Sequence, residues 1–364
     1  MSNTKVTDFS YEINDIRAPN DFRSFSFSNF KKTEVRTQIV ENMKRGKIEP
    51  ACYWSAELIC AGHYMDLWEI ILHYLGKHIH IGNPNLVIYL EKRFSIFRNI
   101  ITQGFFINEL QLRNYNNIRK LFAELICVVT LSPRKHSFEP IKINRVEEFD
   151  ITLMTERLKA PSVDYIQGIF HPKDPKEIFI ALNEFAFHIS KDSKNVMNAC
   201  YWVEWIIEFD MICKNRKEPC YCEKRNQYQV ETKFRRDIIW VIWDCMLEYC
   251  SRMENPYIMS ILTSLLYLFC IKYTTASCKK RRYLLYFAVT LLVEPVPTNV
   301  KIIQETDKAV LHSVVEQIDE IYKQIKKNEC SPNMDYLYSN LNSSQSNFEE
   351  TVRKMEIMNK TFGI

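Results

Sequence analysis

Seven glycines in 364 residues set the first limit on what this chain can fold into. Tight hairpin turns rely on residues that accept positive φ, chiefly glycine, so a β architecture of this length would need many more. Helices need few, and Pro50, Pro84, Pro133, Pro175 and Pro295 stand where helices would start or stop. An all-α fold is therefore expected. The length suits about two domains at roughly 100–200 residues each. With 46% apolar and 25% charged residues the chain has enough apolar surface for a core, which argues against global disorder.

Apolar spacing and punctuation place the helices. Thr33 is placed to cap a helix in which Val35, Ile39 and Met43 share a face, with Gly46 ending it. Pro50 opens the next helix, ACYWSAELICAG, which Gly62 ends. Further helices are predicted over 65–78, 84–102, 116–131, 146–159, 175–190, 195–213, 233–252, 256–273 and 280–293. Val310, Val314, Ile318, Ile321 and Ile325 form a stripe on a charged helix, and a short last helix is expected near the C-terminus. The predicted organisation is an irregular arm (1–30), a helical module (31–145), a linker (146–172), a second module (173–302) and a helical tail (303–364). The stripe of the tail would pack on its own domain or recruit a partner helix.

Three anchors recur in the same order. Ala51-Cys52-Tyr53-Trp54 returns as Ala199-Cys200-Tyr201-Trp202, and Asn83-Pro84 opening an apolar helix returns as Asn255-Pro256. The helix ending at Pro133 (LFAELICVVTLSP) matches the one ending at Pro295 (YLLYFAVTLLVEP), followed by PIKI at 140–143 and NVKI at 299–302. Two tandem copies of one helical unit are expected, the second enlarged by an insertion at 213–236. Tyr53, Trp54, Tyr201 and Trp202 are read as core residues; the alternative is an exposed aromatic contact for a partner or a base.

The first copy, with GKIEPACYWSAELICAGH (46–63), HIGNPNL (80–86) and VTLSPRK (129–135), resembles the C-terminal helical region of AAA+ recombination factors related to Werner-helicase-interacting protein, relatives of sliding-clamp loaders. That family's pattern is matched at Tyr53, Trp54, Gly62, Ile81, Gly82, Asn83, Pro84, Pro133 and Lys135, and in the second copy at Tyr201, Trp202, Asn255, Pro256 and Pro295. Glu57 stands where the family has Arg, and His80 where it has an acidic residue. The resemblance implies a clamp-loader-collar-like module that holds subunits together. The family's ATPase module has no counterpart here, because no G-x-x-x-x-G-K-[ST] occurs. No nucleotide, no other cofactor and no catalysis are therefore expected. The Asn-, Ile-, Lys-, Phe- and Tyr-rich composition is similar to that of chains encoded by AT-rich genomes such as large DNA viruses.

Charge supplies the remaining candidates. Net charge is +4, too small to demand a nucleic-acid partner. The insertion concentrates cations at Lys214, Arg216, Lys217, Lys224, Arg225, Lys233, Arg235 and Arg236, with Tyr221 and Tyr228 among them. Such a loop either stays a solvated surface or lies along a phosphate backbone with the tyrosines on bases. Lys279, Lys280, Arg281 and Arg282 form a basic knot at a helix start, and Lys31, Lys32, Lys44, Arg45 and Lys47 extend it as a second patch. Cys213, Cys220 and Cys222 lack the paired spacing of a structural zinc site, and the other cysteines read as reduced core thiols. His63, His73, His78 and His80 have no carboxylate at ligand spacing. The opening residues show no signal-peptide pattern, and the apolar run 258–271 is shorter than the roughly 20 residues of a spanning helix. An intracellular protein without a membrane role is expected. The leading expectation is an assembly factor of DNA replication or repair that works through protein contacts or self-association and touches DNA. The alternative is a structural virion or scaffold protein.

Overall fold

In a computed structural model, residues 11–103, 109–145, 147–149 and 155–330 are described, and they form helices joined by loops, with no strand among them. The first half carries α1 (Lys32–Lys44), α2 (Ile48–Cys60), α3 (Tyr64–Tyr74), α4 (Asn85–Thr102) and α5 (Asn116–Leu131). The second half carries α6 (Phe179–Ile189), α7 (Val196–Asn215), α8 (Ile239–Arg252), α9 (Pro256–Cys270), the one-turn α10 (Ser277–Lys280) and α11 (Arg282–Val293). The tail adds α12 (Lys308–Glu316) and α13 (Ile318–Lys326).

The punctuation acts largely as its chemistry dictates. Gly46 and Gly62, at φ +70° and +78°, follow the ends of α1 and α2. Asn255 caps α9 by accepting from the amides of Tyr257 and Ile258, with Pro256 at the first helical position. Several predicted boundaries shift. Thr33 does not cap α1, which begins at Lys32 without a side-chain cap. The segment 233–238 precedes α8 rather than opening it, and Arg281 breaks the predicted 280–293 helix. The striped tail helix divides at Gln317: Val310 is exposed, whereas Ile318, Ile321, Tyr322 and Ile325 are buried. Of the helix expected over 146–159, Thr155–Arg157 is a 3-10 turn, and residues 146 and 150–154 lie outside the described residues. The expected last helix lies outside them too.

Within each half the helices pair with near neighbours in the chain and with the last long helix of that half. α1 lies along α2, and α6 along α7; α5 packs on α2, and α11 on α7. α4 and α9 pack on each other in the same direction. Near their starts the Tyr257 hydroxyl donates to Asn85 Oδ1 (3.0 Å), and further along Ser264 donates to Glu91 (2.5 Å). The segments that follow each half then cross over. Phe138 stacks on Tyr286 of α11 (4.9 Å) and Phe149 lies against Trp205 of α7 (4.8 Å). In return, Val300 accepts from Asn85, α12 packs on α5, and α13 packs on α2.

Buried polar groups fix these crossings. Arg119, 1% exposed, donates from Nε to the Arg113 carbonyl (2.7 Å) and from Nη2 to Tyr11 O (3.2 Å) and Asn114 Oδ1 (3.0 Å). Its Nη1 reaches Asp319 Oδ1 at 2.9 Å, and its guanidinium lies 4.0 Å from the ring centre of the buried Tyr322. One side chain thus ties the arm, α5 and α13 with most of its five donors used. Glu57, fully buried in α2, accepts from Ser26 Oγ (2.8 Å), Ser28 N (2.9 Å) and Ser28 Oγ (2.5 Å), pinning the arm. Glu184 in α6 pins the preceding segment in the same manner through Lys159 N and Ala160 N, both at 2.9 Å.

Between the halves, α11 is buried along almost its whole length and meets a π-helical turn at Leu75–Ile79 that continues α3. Gly76 makes that meeting feasible: a Cβ there would lie 2.8 Å from the backbone carbon of Tyr283 and 2.9 Å from its Cβ. Neither atom belongs to the free end of a side chain, so the helix itself would have to move. Gly76→Ala is expected to destabilise the protein by about 1–3 kcal/mol, read as a lower urea midpoint with the m-value unchanged.

Candidate functional site

The insertion is a folded element rather than a free loop. Arg225, expected as a nucleic-acid contact, is 1% exposed and is held by Asp174 (2.6 and 2.8 Å) and Asp244 (2.8 Å). A guanidinium in that environment is already saturated with carboxylate oxygens and cannot reach a phosphate. Tyr228 is buried as well. Its ring stacks on Trp240 at 4.5 Å and its hydroxyl donates to Asp244 at 2.5 Å, so it offers no face to a base. The Cys222 thiol donates to Asp237 O (3.4 Å). Arg216, Lys217, Lys224, Lys233 and Arg236 remain exposed, with Arg236 over the ring of Tyr221. Lys214 pairs with Asp210 (2.5 Å), and half-buried Arg235 donates to Val230 O (3.1 Å).

The aromatic pairs separate. Tyr201 and Trp202 are buried, with the Tyr201 hydroxyl donating to Glu148. Tyr53 and Trp54 are half-buried, Trp54 meeting Phe30 edge-on at 5.0 Å. All four pack against the hydrophobic core.

The basic knot is where the fold brings distant charge together. A cleft of about 430 Å³ opens between α1, α3 and the α10–α11 corner, lined by Lys32, Arg36, Asp66, Glu69, His73, Lys279, Lys280 and Arg282 among others. Five cations and two carboxylates line it, but Arg282 is largely buried and its guanidinium turns back to the buried Glu204 (3.5 Å). Asp66 is taken by Lys32 at 2.7 Å. Glu69 is taken by Arg281, which is 3% exposed and also donates to Phe269 O (2.6 Å). Arg281, expected at the surface, is therefore a buried tie between the halves, and the other three residues of the knot line the cleft. Lys279 reaches Glu208 Oε1 at 2.9 Å, and Arg145 reaches Glu208 Oε2 at 2.7 Å. Burial alone would raise the Glu208 carboxyl, but hydrogen bonds from Lys279 and Arg145 hold it below the ordinary range. Arg36 and Lys280 are exposed, and no carboxylate among the described residues pairs with either.

Arg36 was not among the residues singled out from the sequence. The signal was available: it lies four residues after Lys32, on the same side of α1 and at the border of the Val35–Ile39–Met43 stripe. Lys44, Arg45 and Lys47 fall at the far end of α1, about 18 Å from Lys32 by helical rise, and do not line the cleft.

A larger opening of about 900 Å³ lies at the ends of α6, α8 and α11. Several of its charges pair off: Asp192 accepts from Tyr165 (2.8 Å), Glu294 from Lys135 (2.9 Å) and Arg252 bonds Glu248 (3.0 Å). It offers no comparable excess of one sign. Among the described residues no group of three or more His, Cys, Asp or Glu side chains is arranged to hold a metal ion, and no helix is long and apolar enough to cross a membrane.

Histidines crowd the junction beside the cleft. His73 meets Tyr283 edge-on at 5.4 Å, His78 Nδ1 lies 3.1 Å from His136 Nδ1, and His80 stacks on Phe287 at 4.9 Å. Burial, assisted by Arg36 and Lys77 at His73, by His136 at His78 and by Lys135 at His80, pushes all three down to about 4.

Comparison of the chain with protein-family models, with curated proteins and with solved structures gives no match.

The histidines give the stability a pH dependence of definite sign. Above their ordinary value of 6.5 both folded and unfolded forms are neutral; between 6.5 and about 4 only the unfolded chain takes up the protons. The melting temperature is expected to be flat from pH 8 to 6.5 and to fall from 6.5 to 4. His80→Phe, which keeps a ring against Phe287 and removes one proton, is expected to make that fall shallower in a calorimetric pH series.

Proposed function

We propose that this protein is a non-catalytic assembly factor for nucleic-acid transactions, such as DNA replication or repair, built from two copies of one collar-like helical unit. The reciprocal packing carries this reading. The helices bearing Ala51 and Ala199 take the same neighbours in each half: a preceding antiparallel-type partner (α1 or α6) and the helix that ends at Pro133 or Pro295. The helices opened by the two Asn-Pro pairs meet each other, and the segment after each half straps the other half. Two copies of a unit that associates with its like would do this once fused. Helical units whose packing surfaces suit association, and a basic cleft at their junction, fit a role in holding other components rather than transforming a substrate.

The resemblance of 46–63, 80–86 and 129–135 to the collar region of clamp-loader relatives supports the same reading. In this chain Gly82 lies under the backbone of residues 133–135, where a Cβ would come within 2.7 Å of Lys135 N. That close approach gives a packing reason for glycine at one of the matched positions.

Full-length protein examined by light scattering, by affinity capture from its native source and by electrophoretic mobility shift is expected to bind nucleic acid and to self-associate or retain a protein partner. A monomer that retains no partner and shifts no nucleic acid at micromolar concentration would end this reading.

A further inference from the structure

The cleft between α1, α3 and the α10–α11 corner admits a more specific assignment, which rests on the nucleic-acid role just proposed. We propose that it is a groove for the phosphodiester backbone of a single nucleic-acid strand. The ligand chemistry follows from what the groove offers. Lys32, Arg36, Lys279, Lys280 and Arg282 approach from two halves of the chain, so the cations are spread along the opening rather than focused on one point. The two carboxylates within it are already matched by Lys32 and by the buried Arg281, and Lys279 and Arg282 are held from behind by Glu208 and Glu204, so the uncompensated charge is that of Arg36 and Lys280. Arg36 and Lys280 are exposed and pair with no carboxylate among the described residues.

The extent of the positive line favours a polymer over a small anion. Lys279 and Arg145 share Glu208, which carries the basic surface beyond the cleft to the segment that follows the first half. Absent aromatic platforms argue for the backbone rather than the bases. The aromatic side chain at the floor, Tyr283, is buried, with His73 edge-on to its ring and the Lys77 ammonium 5.2 Å from its centre. A base has no ring on which to stack there, so recognition is through phosphates and independent of sequence. A volume of about 430 Å³ takes a short stretch of one strand.

The test uses a fluorescein-labelled oligothymidine and a mixed-sequence oligonucleotide of equal length, titrated with the full chain by fluorescence anisotropy over a salt series. Arg36→Glu with Lys280→Glu is expected to weaken both oligonucleotides about tenfold, and equally. The neutral pair Arg36→Gln with Lys280→Gln is expected to make the log–log salt slope shallower by about 1.4, the value for two lost phosphate contacts on a single strand. Arg216→Glu with Lys217→Glu, on the insertion, is expected to leave affinity unchanged. Urea midpoints equal to that of the parent protein establish that the exposed substitutions act on binding alone. Unchanged affinity in the cleft variants, with the parent protein binding normally, overturns the groove and leaves the broader role standing. Loss carried by the insertion variant, or displacement of the oligonucleotide by polyglutamate as effectively as by unlabelled strand, overturns it likewise. A parent protein that binds neither oligonucleotide ends both.

Discussion

The approach of Tyr283 to Gly76 is the constraint on which the rest of the architecture depends. It lets the backbone of α11 lie against the π turn that ends α3, with no side chain between them. From that contact follow the stack of His80 on Phe287, the edge contact of His73 with Tyr283, and the position of the α10–α11 corner over α1 and α3. A helix buried on nearly every side, as α11 is from Tyr283 to Leu292, has no solvent face to slide along. Interiors packed to crystalline density transmit such a displacement rather than absorb it.

Polar anchoring then removes the remaining freedom. Arg119, Arg225, Glu57 and Glu184 are buried charges, each supplied with several hydrogen-bond partners from segments far apart in sequence. Buried ion pairs add little net stability, because desolvation offsets most of the attraction. Their consequence is geometric: an unpaired charge in the core is costly, so an alternative placement of the arm, the insertion or α13 is penalised heavily. Glu204 belongs to this class too. Burial pushes its carboxyl up, against the pull of Arg282, while it accepts from the Tyr286 hydroxyl at 2.7 Å.

Much of the helical content was legible because the signals are local. The Asn255-Pro256 cap and the helical spacing of Val35, Ile39 and Met43 each act within one or two turns. The π turn was not legible, since Leu75–Ile79 reads as an ordinary helix end until Tyr283 is brought to it. The fate of the basic residues was least legible of all. Arg225 and Arg236 belong to the same charged stretch, yet one is sealed between Asp174 and Asp244 and the other lies open over Tyr221. Which outcome occurs depends on carboxylates 51 and 19 residues away from Arg225, information that no local pattern carries. The tail stripe divided at Gln317 for a related reason: α12 rests on α5 with its apolar residues only partly covered, whereas α13 buries Ile318, Ile321, Tyr322 and Ile325 against α2 and α5.

The same reasoning changes the meaning of Arg281. Considered as one of four adjacent cations it looks like a lost contact once it is buried. Its partner, however, is Glu69, a carboxylate on the cleft wall. An unpaired Glu69 would oppose any anion entering beside Arg36 and Lys280. Arg281 neutralises it from the protein side, at low local dielectric where the interaction is strong, and leaves the outward cations facing solvent. The buried member of the knot therefore sets the potential that the exposed members present. Because Glu69 lies on α3 and Arg281 at the head of α11, that potential exists only while the two halves are joined.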